Sequence, residues 1–285
     1  MSVPFEETRL TLPHTEIAAH LYGPVDGRPV IALHGWLDNA ASFHRLAPRL
    51  DGLRIVALDL PGHGHSQHRP PGATYQIWDY AHDVLQVAEQ LGWQRFSLLG
   101  HSMGAIVSVL LAGAWPERVE RLALIDAFIP YTGEAEAAPV KLGEALKAQL
   151  ALARKRKPVH ASFEQAVAAR MKAAVKVSHE AAELLAQRGL MPVPGGYTWR
   201  TDPRLTLPSP MRLTRAHALA FASAVSCPTS LVVAERGLMQ DAGMLELARS
   251  FPFEVQLMPG GHHLHLDDEA GAARVAAVLG PFLSS

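Results

Sequence analysis

Gly100-His101-Ser102-Met103-Gly104 places a serine between two glycines. The apolar run at 96–99 predicts a strand before it, and the apolar run at 105–111 predicts a helix after it. At such a sharp strand–turn–helix connection the serine adopts strained backbone angles, and the flanking glycines avoid clashes that a Cβ would cause. The turn lifts the hydroxyl off the sheet edge. We therefore predict that Ser102 is a nucleophile.

A serine hydroxyl is a weak nucleophile at neutral pH and needs an adjacent base, usually a histidine. The chain has 15 histidines, so their positions must decide between them. Gly260-Gly261-His262-His263 follows the predicted last strand, 254–258, and therefore lies at the same end of a sheet as Ser102. We predict His262 as the base, with His263 as the alternative.

Acyl transfer also needs hydrogen-bond donors where negative charge develops on the carbonyl oxygen. The backbone N–H of Met103, at the start of the helix after the serine, is one expected donor. The second is expected from His34-Gly35-Trp36, which follows the predicted strand 30–33. Gly35 lets the backbone approach closely, so we predict the Trp36 N–H as the second donor of an oxyanion hole.

The elements that must position these residues alternate between strands and helices. Helical periodicity is clear at 80–91, where apolar residues recur every three or four positions. Alternation of this kind predicts an α/β fold, with a mostly parallel sheet covered by helices on both faces. We expect an N-terminal hairpin across 9–22, a helix at 40–50, and strands at 30–33, 54–58, 96–99, 121–125, 229–233 and 254–258.

One region departs from this alternation. Between 130 and 215 no strand is predicted; helices are expected at 137–157 and 162–188, followed by a stretch rich in proline and glycine at 191–210. We call residues 130–215 the insertion and predict that it forms a helical cap over the active end of the sheet. The predicted division is a core at 1–129, the cap at 130–215, and the rest of the core at 216–285.

Composition excludes several classes of function. The 285 residues carry a net charge of -1 and are 48% hydrophobic, which favours one large globular unit and gives no reason to expect a nucleic-acid or membrane partner. The acidic residues Glu6 and Glu7 argue against a signal peptide. A single cysteine, Cys227, excludes an internal disulfide and suits a reducing compartment, so we expect a cytoplasmic protein.

No cofactor or metal is predicted. His63, His65 and His68 crowd together, but no carboxylate or cysteine lies nearby at ligand spacing. The pair Gly62 and Gly64 lacks the third glycine of a dinucleotide-binding loop, because Gln67 stands in its place. The expected partner is a small-molecule substrate, and the sequence leaves the oligomeric state open.

Taken together, these motifs resemble the α/β-hydrolase superfamily. The chain has His34-Gly35, the loop Asp59-Leu60-Pro61-Gly62-His63-Gly64, the serine turn and Gly261-His262 in the order typical of that family. The segments at 199–205 and 208–214 more narrowly resemble its serine hydrolase-like branch. The resemblance implies the α/β-hydrolase fold and a Ser–acid–His triad.

The acid departs from the family's pattern, which would place an aspartate near Gly237, after the predicted strand 229–233. Some members of the family, including certain haloalkane dehalogenases, take the acid from the end of the preceding core strand, where this chain has Asp126 after the predicted strand 121–125. Asp126 is our choice, because a strand end positions a side chain more tightly than a loop does. Glu235 and Asp241 in the usual loop remain alternatives.

The function implied is that of a serine hydrolase acting on a small ester or related acyl substrate. A serine nucleophile argues against haloalkane dehalogenase and epoxide hydrolase chemistry, which in this fold uses an aspartate at the turn. The same residues also suit a C–C bond hydrolase, a perhydrolase or a lyase. A degenerate hydrolase that only binds ligands is the remaining alternative, indicated by the missing aspartate at Gly237.

Overall fold

The computed structural model describes residues 5–152, 154 and 156–285. Its strands are β1 (Glu6–Thr11), β2 (Glu16–Tyr22), β3 (Arg28–Leu33), β4 (Leu53–Leu58), β5 (Phe96–His101), β6 (Val119–Ile125), β7 (Leu190–Val193), β8 (Gly196–Trp199), β9 (Thr229–Arg236) and β10 (Phe253–Gly261). Its α-helices are α1 (Asp79–Gln90), α2 (Met103–Ala114), α3 (Ala138–Leu152), α4 (Phe163–Met171), α5 (His179–Gly189), α6 (Arg215–Ala224), α7 (Ala242–Arg249) and α8 (Glu269–Ser284).

Eight strands form one sheet in the order β1-β2-β4-β3-β5-β6-β9-β10. β1 and β2 pair antiparallel, as the predicted N-terminal hairpin requires, and β2 pairs antiparallel with β4. All other pairs in this sheet are parallel. The carboxyl ends of β3, β5, β6, β9 and β10 therefore meet along one edge, which is where an α/β sheet carries its functional loops.

The central strands are apolar on both faces because helices cover both faces. Ile31 and Leu33 of β3 pack into a cluster that includes residues of α1 and α2. Val30 and Ala32 of the same strand point the other way, into a cluster that includes residues of α8. This two-sided burial confirms the predicted α/β fold and fixes the sheet edge on which the loops converge.

The insertion differs from the prediction in two ways. The predicted helix 162–188 is two helices, α4 and α5, because Ser178 starts the second one by accepting a hydrogen bond from the Ala181 N–H. The prediction of no strand is wrong, since β7 and β8 form an antiparallel hairpin. Its turn uses Gly195 at φ 89°, a conformation that favours glycine.

Smaller differences concern helix boundaries. The predicted helix 40–50 consists of two short 3-10 helices, Ala40–Phe43 and Ala47–Arg49, interrupted at residues 44–46. The predicted helix 137–157 is observed as α3, and its predicted end includes residues 153 and 155, which lie outside the described part. Residues 1–4, the first part of the segment 1–10 in which no signal peptide was predicted, also lie outside it. None of the helices in the described ranges is long and apolar enough to cross a membrane.

Candidate active site

Ser102 occupies a strained turn between β5 and α2. Its backbone angles are φ 53° and ψ -116°, in a region that non-glycine residues rarely adopt. The two neighbouring glycines are required by close packing: a Cβ on Gly100 would lie 2.5 Å from the Ala105 Cα, and one on Gly104 would lie 2.0 Å from the Leu33 carbonyl oxygen. The local sequence thus forces the serine outward at the end of the strand.

His262 and Asp126 form a buried pair next to this turn. His262 follows the end of β10, and its Nδ1 lies 2.6 Å from Oδ2 of Asp126. Because a carboxylate only accepts hydrogen bonds, Nδ1 carries the proton and Nε2 remains available as a base. Asp126 follows β6 directly and itself has a positive φ of 53°. Its carboxylate also accepts hydrogen bonds from the backbone N–H groups of Ala234 (3.0 Å) and Leu238 (2.8 Å).

The loop after β9, where the family's pattern would place the acid, instead surrounds the Asp126 carboxylate. Gly237 is buried there, and a Cβ on it would lie 2.0 Å from the Asp126 Oδ2. The two alternative acids, Glu235 and Asp241, lie in environments different from that of Asp126. Glu235 is exposed, and Asp241 caps α7 by accepting hydrogen bonds from the N–H groups of Gly243 and Met244.

The loop after β3 forms a tight turn beside Ser102. The Asp38 N–H donates to the Gly35 carbonyl over 3.1 Å, and Leu37 has a φ of 65°. This turn hydrogen bond does not use the N–H of Trp36. Trp36 lines the same cavity as Met103, whose N–H is among the first of α2, which have no acceptor within the helix. Both predicted oxyanion donors thus belong to residues that border one space.

His101, the residue before the serine, lies behind the turn and is completely buried. Its Nε2 donates to the His262 carbonyl over 3.0 Å. Burial, reinforced by His265, lowers the pKa of His101 well below its ordinary value, so the ring is neutral. A Cβ on Gly35 would lie 3.0 Å from its Nδ1, which explains the need for glycine in that loop. His101, the last residue of β5, therefore links the strand before Ser102 to the loop that carries His262.

The alternative base, His263, belongs to a second buried cluster. Its Nε2 lies 2.9 Å from Oδ2 of Asp38, and its Nδ1 lies 3.2 Å from the Lys176 carbonyl oxygen. Nη2 of Arg170, on α4, lies 2.8 Å from Oδ1 of Asp38. Burial opposes ionisation of Asp38, but His263 and Arg170 outweigh it and hold the pKa of that carboxyl well below its usual range. Both ring nitrogens of His263 thus already face acceptors.

A cavity of about 670 Å³ opens in front of Ser102 and His262. Its size is within the range of small-molecule sites. The insertion supplies a large part of its wall, from α3 and α4 and from residues 204–213. Apolar side chains predominate in the lining and include Trp36, Ile77, Trp78, Ile106, Leu146 and Leu213.

Several polar links fasten the insertion to the core. Besides the Asp38–Arg170 pair, Nε of Arg188 on α5 lies 2.9 Å from both carboxylate oxygens of Asp59. The Tyr75 hydroxyl donates to Oδ2 of Asp202 over 2.8 Å. These pairings were not predicted from the sequence, although Asp59 belongs to the loop 59–64 that resembles the family's pattern. Buried charges are expected to have partners, but the sequence does not show which arginine a given aspartate meets.

The histidines that suggested a metal site have separate protein partners. His63 is buried, and its Nδ1 faces the carbonyl oxygens of Leu60 and Pro61. Nδ1 of His65 lies 2.9 Å from Glu7. Nδ1 of His68 lies 3.3 Å from Asp202. Asp38, His101 and His263 do come close enough to share an ion, but Arg170 already neutralises that carboxylate.

Comparison with known proteins agrees with the fold and the motifs. The model of the alpha/beta hydrolase fold family matches residues 28–269, and the chain belongs to this family. A serine hydrolase-like protein of Danio rerio is 32% identical over 97% of this chain and 88% of its own length. Serine hydrolase-like protein 2 of Homo sapiens is 31% identical over 97% and 93%. The predicted resemblance to the serine hydrolase-like branch is confirmed, and the chain is a hydrolase by family.

Solved structures with a similar fold cover almost the whole chain. A hypothetical protein from Pseudomonas aeruginosa PAO1 is 71% identical, with a TM-score of 0.96 over 98% of this chain and all of that chain (100%). A thioesterase domain from the curacin biosynthetic pathway is 26% identical, with a TM-score of 0.84 over 97% of this chain and 99% of that one.

Proposed function

We propose that this chain is a carboxylic ester hydrolase that works through an acyl-enzyme on Ser102. The observation that carries the proposal is the 2.6 Å hydrogen bond between His262 and Asp126 beside the strained serine turn, with serine and histidine lining one cavity. We assign Ser102, His262 and Asp126 as nucleophile, base and acid. We further propose that the insertion acts as a cap that excludes water from the bound substrate.

The reaction follows from these assignments. Ser102 Oγ attacks the carbonyl carbon while Nε2 of His262 takes the hydroxyl proton, and Asp126 stabilises the resulting imidazolium. The oxyanion accepts hydrogen bonds from the N–H groups of Trp36 and Met103. Collapse of the intermediate expels the alcohol, which takes the proton from His262. A water molecule, deprotonated by His262, then releases the acid and regenerates the serine.

Two further points support an active ester hydrolase. Asp126 fills the space that an aspartate side chain at Gly237 would need, so the missing aspartate does not favour a degenerate binding module. The apolar lining suits acyl or alkyl groups. Thioesters react by the same acyl transfer, and the similar thioesterase domain makes them worth including as substrates.

Labelling with a fluorophosphonate and turnover of p-nitrophenyl acetate test the proposal. Wild-type protein should react in both assays, and Ser102→Ala should lose the label and reduce kcat by a factor on the order of 10⁶. Ser97→Ala is the matched control, because Ser97 is a buried serine of the same strand, β5. Equal turnover by wild type and Ser102→Ala would refute the proposal.

A further inference from the structure

We propose that Asp38, His263 and Arg170 form a positioning clamp that holds the oxyanion turn in register with the base, and that completes the site only when the insertion is in place. This inference rests on the proposed function. Asp38 is 2% exposed and His263 is 1% exposed, and the side chain of Arg170 is 10% exposed. None of the three has a role in the Ser102–His262–Asp126 mechanism, yet all line the same cavity.

The turn after β3 is strained. Leu37 has a φ of 65° between Trp36, the proposed oxyanion donor, and Asp38. A branched residue in that region of backbone space costs on the order of 1 kcal/mol or more and needs support from its surroundings. The Asp38 side chain provides such support, because both of its oxygens are bound, one by Arg170 and one by His263. The orientation of the Trp36 N–H therefore depends on Asp38.

His263 connects this turn to the base. It directly follows His262, and its ring is held at both nitrogens, by Asp38 over 2.9 Å and by the Lys176 carbonyl over 3.2 Å. These two contacts fix the orientation of the ring. The Asp38–His263 contact joins the loop after β3, which carries the oxyanion donor, to the loop after β10, which carries the base.

Arg170 reaches Asp38 from α4 of the insertion. Its Nη2 binds Asp38 over 2.8 Å, and its Nη1 donates to the Val175 carbonyl over 3.0 Å. The guanidinium thus connects the insertion to the oxyanion turn at a buried point. If the insertion moves away, Asp38 loses one of its two partners. The support of the oxyanion turn therefore depends on the position of the insertion.

The test compares Asp38→Asn, His263→Gln and Arg170→Met with a matched control elsewhere. Asp83 is buried and also binds one histidine and one arginine, His14 over 2.8 Å and Arg69 over 2.7 Å. It does not line the cavity. Asp83→Asn therefore removes the charge of a buried aspartate that binds an exposed histidine and an arginine, at a place away from the reaction. Each variant is assayed for kcat and KM on p-nitrophenyl acetate and for its urea midpoint.

The clamp predicts that the three site variants lower kcat about 10- to 100-fold with less than a threefold change in KM, since small displacements of positioned groups cost this much. A trifluoromethyl ketone, which forms an oxyanion on the serine, should bind them more weakly by a factor similar to the loss in kcat/KM. Asp83→Asn should keep its kcat even where its urea midpoint falls. Arg170→Lys, which retains a cation, should recover part of the loss of Arg170→Met.

Several results would overturn the clamp. Site variants with kcat within twofold of wild type would do so, as would an Asp83→Asn variant with the same loss of kcat. Should Asp38→Asn fail to fold, His263→Gln and Arg170→Met decide by the same criteria. If wild-type protein neither reacts with the fluorophosphonate nor turns over any ester, the proposed function fails and the clamp fails with it. Active wild type with unaffected site variants refutes the clamp alone.

Discussion

Gly237 and Asp126 occupy complementary positions: a Cβ on Gly237 would lie 2.0 Å from the carboxylate oxygen of Asp126 that faces His262. The loop after β9, which carries the acid in the family's usual pattern, has a glycine at this point, and the carboxylate of Asp126, after the neighbouring strand β6, occupies the space. Ala234 and Leu238, on either side of Gly237, donate N–H hydrogen bonds to it. The ends of β6 and β9 thus border one space, which the Asp126 carboxylate fills.

Removing the charge at position 126 should reduce turnover strongly. Asp126→Asn is expected to lower kcat by about 10³- to 10⁴-fold, because the imidazolium loses its stabilising carboxylate and the histidine its preferred tautomer. Steady-state kinetics on p-nitrophenyl acetate measures this. Glu235→Gln and Asp241→Asn are the controls and should keep kcat. A loss confined to either of those two variants would assign the acid to the loop after β9.

Adding one carbon at Gly237 should also impair the enzyme. Gly237→Ala is expected to displace the Asp126 carboxylate and lower kcat at least tenfold, since the nearest carboxylate atoms cannot accept a contact of 2.0 Å. Gly143→Ala is the control, because a Cβ there meets nothing within 4 Å. Kinetics of the two variants at equal folded fraction, judged by circular dichroism, makes the comparison. Equal kcat values for Gly237→Ala and Gly143→Ala would contradict tight packing around the Asp126 carboxylate.

The wall contributed by α3 should influence the preference for acyl-chain length. Leu146 lines the cavity, whereas Leu150, one turn further along α3, does not and is 78% exposed. Leu146→Asp is expected to lower kcat/KM for p-nitrophenyl octanoate at least tenfold while changing the value for the acetate less than threefold. Leu150→Asp should change neither. Parallel losses on both esters in Leu146→Asp would contradict a role in chain-length preference.

The stability of the fold should fall as the pH decreases below about 6.5. Burial is the main reason that the pKa of His63 and of His265 is lowered to about 3, and that of His20 to about 4. In the unfolded chain these rings take up protons near 6.5, so between that pH and the folded values the unfolded state binds more protons. Each histidine then reduces the free energy of unfolding by up to ~1.4 kcal/mol per pH unit.

Urea unfolding at pH 7, 6 and 5 measures this slope. His63→Gln should make it shallower. The buried carboxylates Asp38 and Asp59, whose pKa values are lowered, stay ionised throughout this range and add nothing to the slope. Equal free energies of unfolding at pH 7 and pH 5 would contradict the assignment of neutral buried histidines.

Much of the candidate site could be predicted because the residues that indicate Ser102 and His262 are their neighbours in the sequence. The glycines around Ser102 and the strand before His262 place both residues at the end of a strand, and parallel strands end along one edge. The acid was harder to choose, since nothing local says that β6 and β9 are neighbours, which is what brings Asp126 and Gly237 together. The α4–α5 break at Ser178 and the turn at Gly195 were missed because the surrounding residues suit a continuous helix or a loop equally well.

The links from Asp38 to Arg170, from Asp59 to Arg188 and from Tyr75 to Asp202 bear on how such enzymes can be redesigned. In each link one partner belongs to the core and the other to the insertion. Grafting a different insertion onto this core would leave two buried carboxylates without their arginines, at a cost of several kcal/mol for each. A chimera should therefore keep the partner residues of both segments together. The buried contacts between core and insertion must match, and not only the two positions at which the chain is spliced.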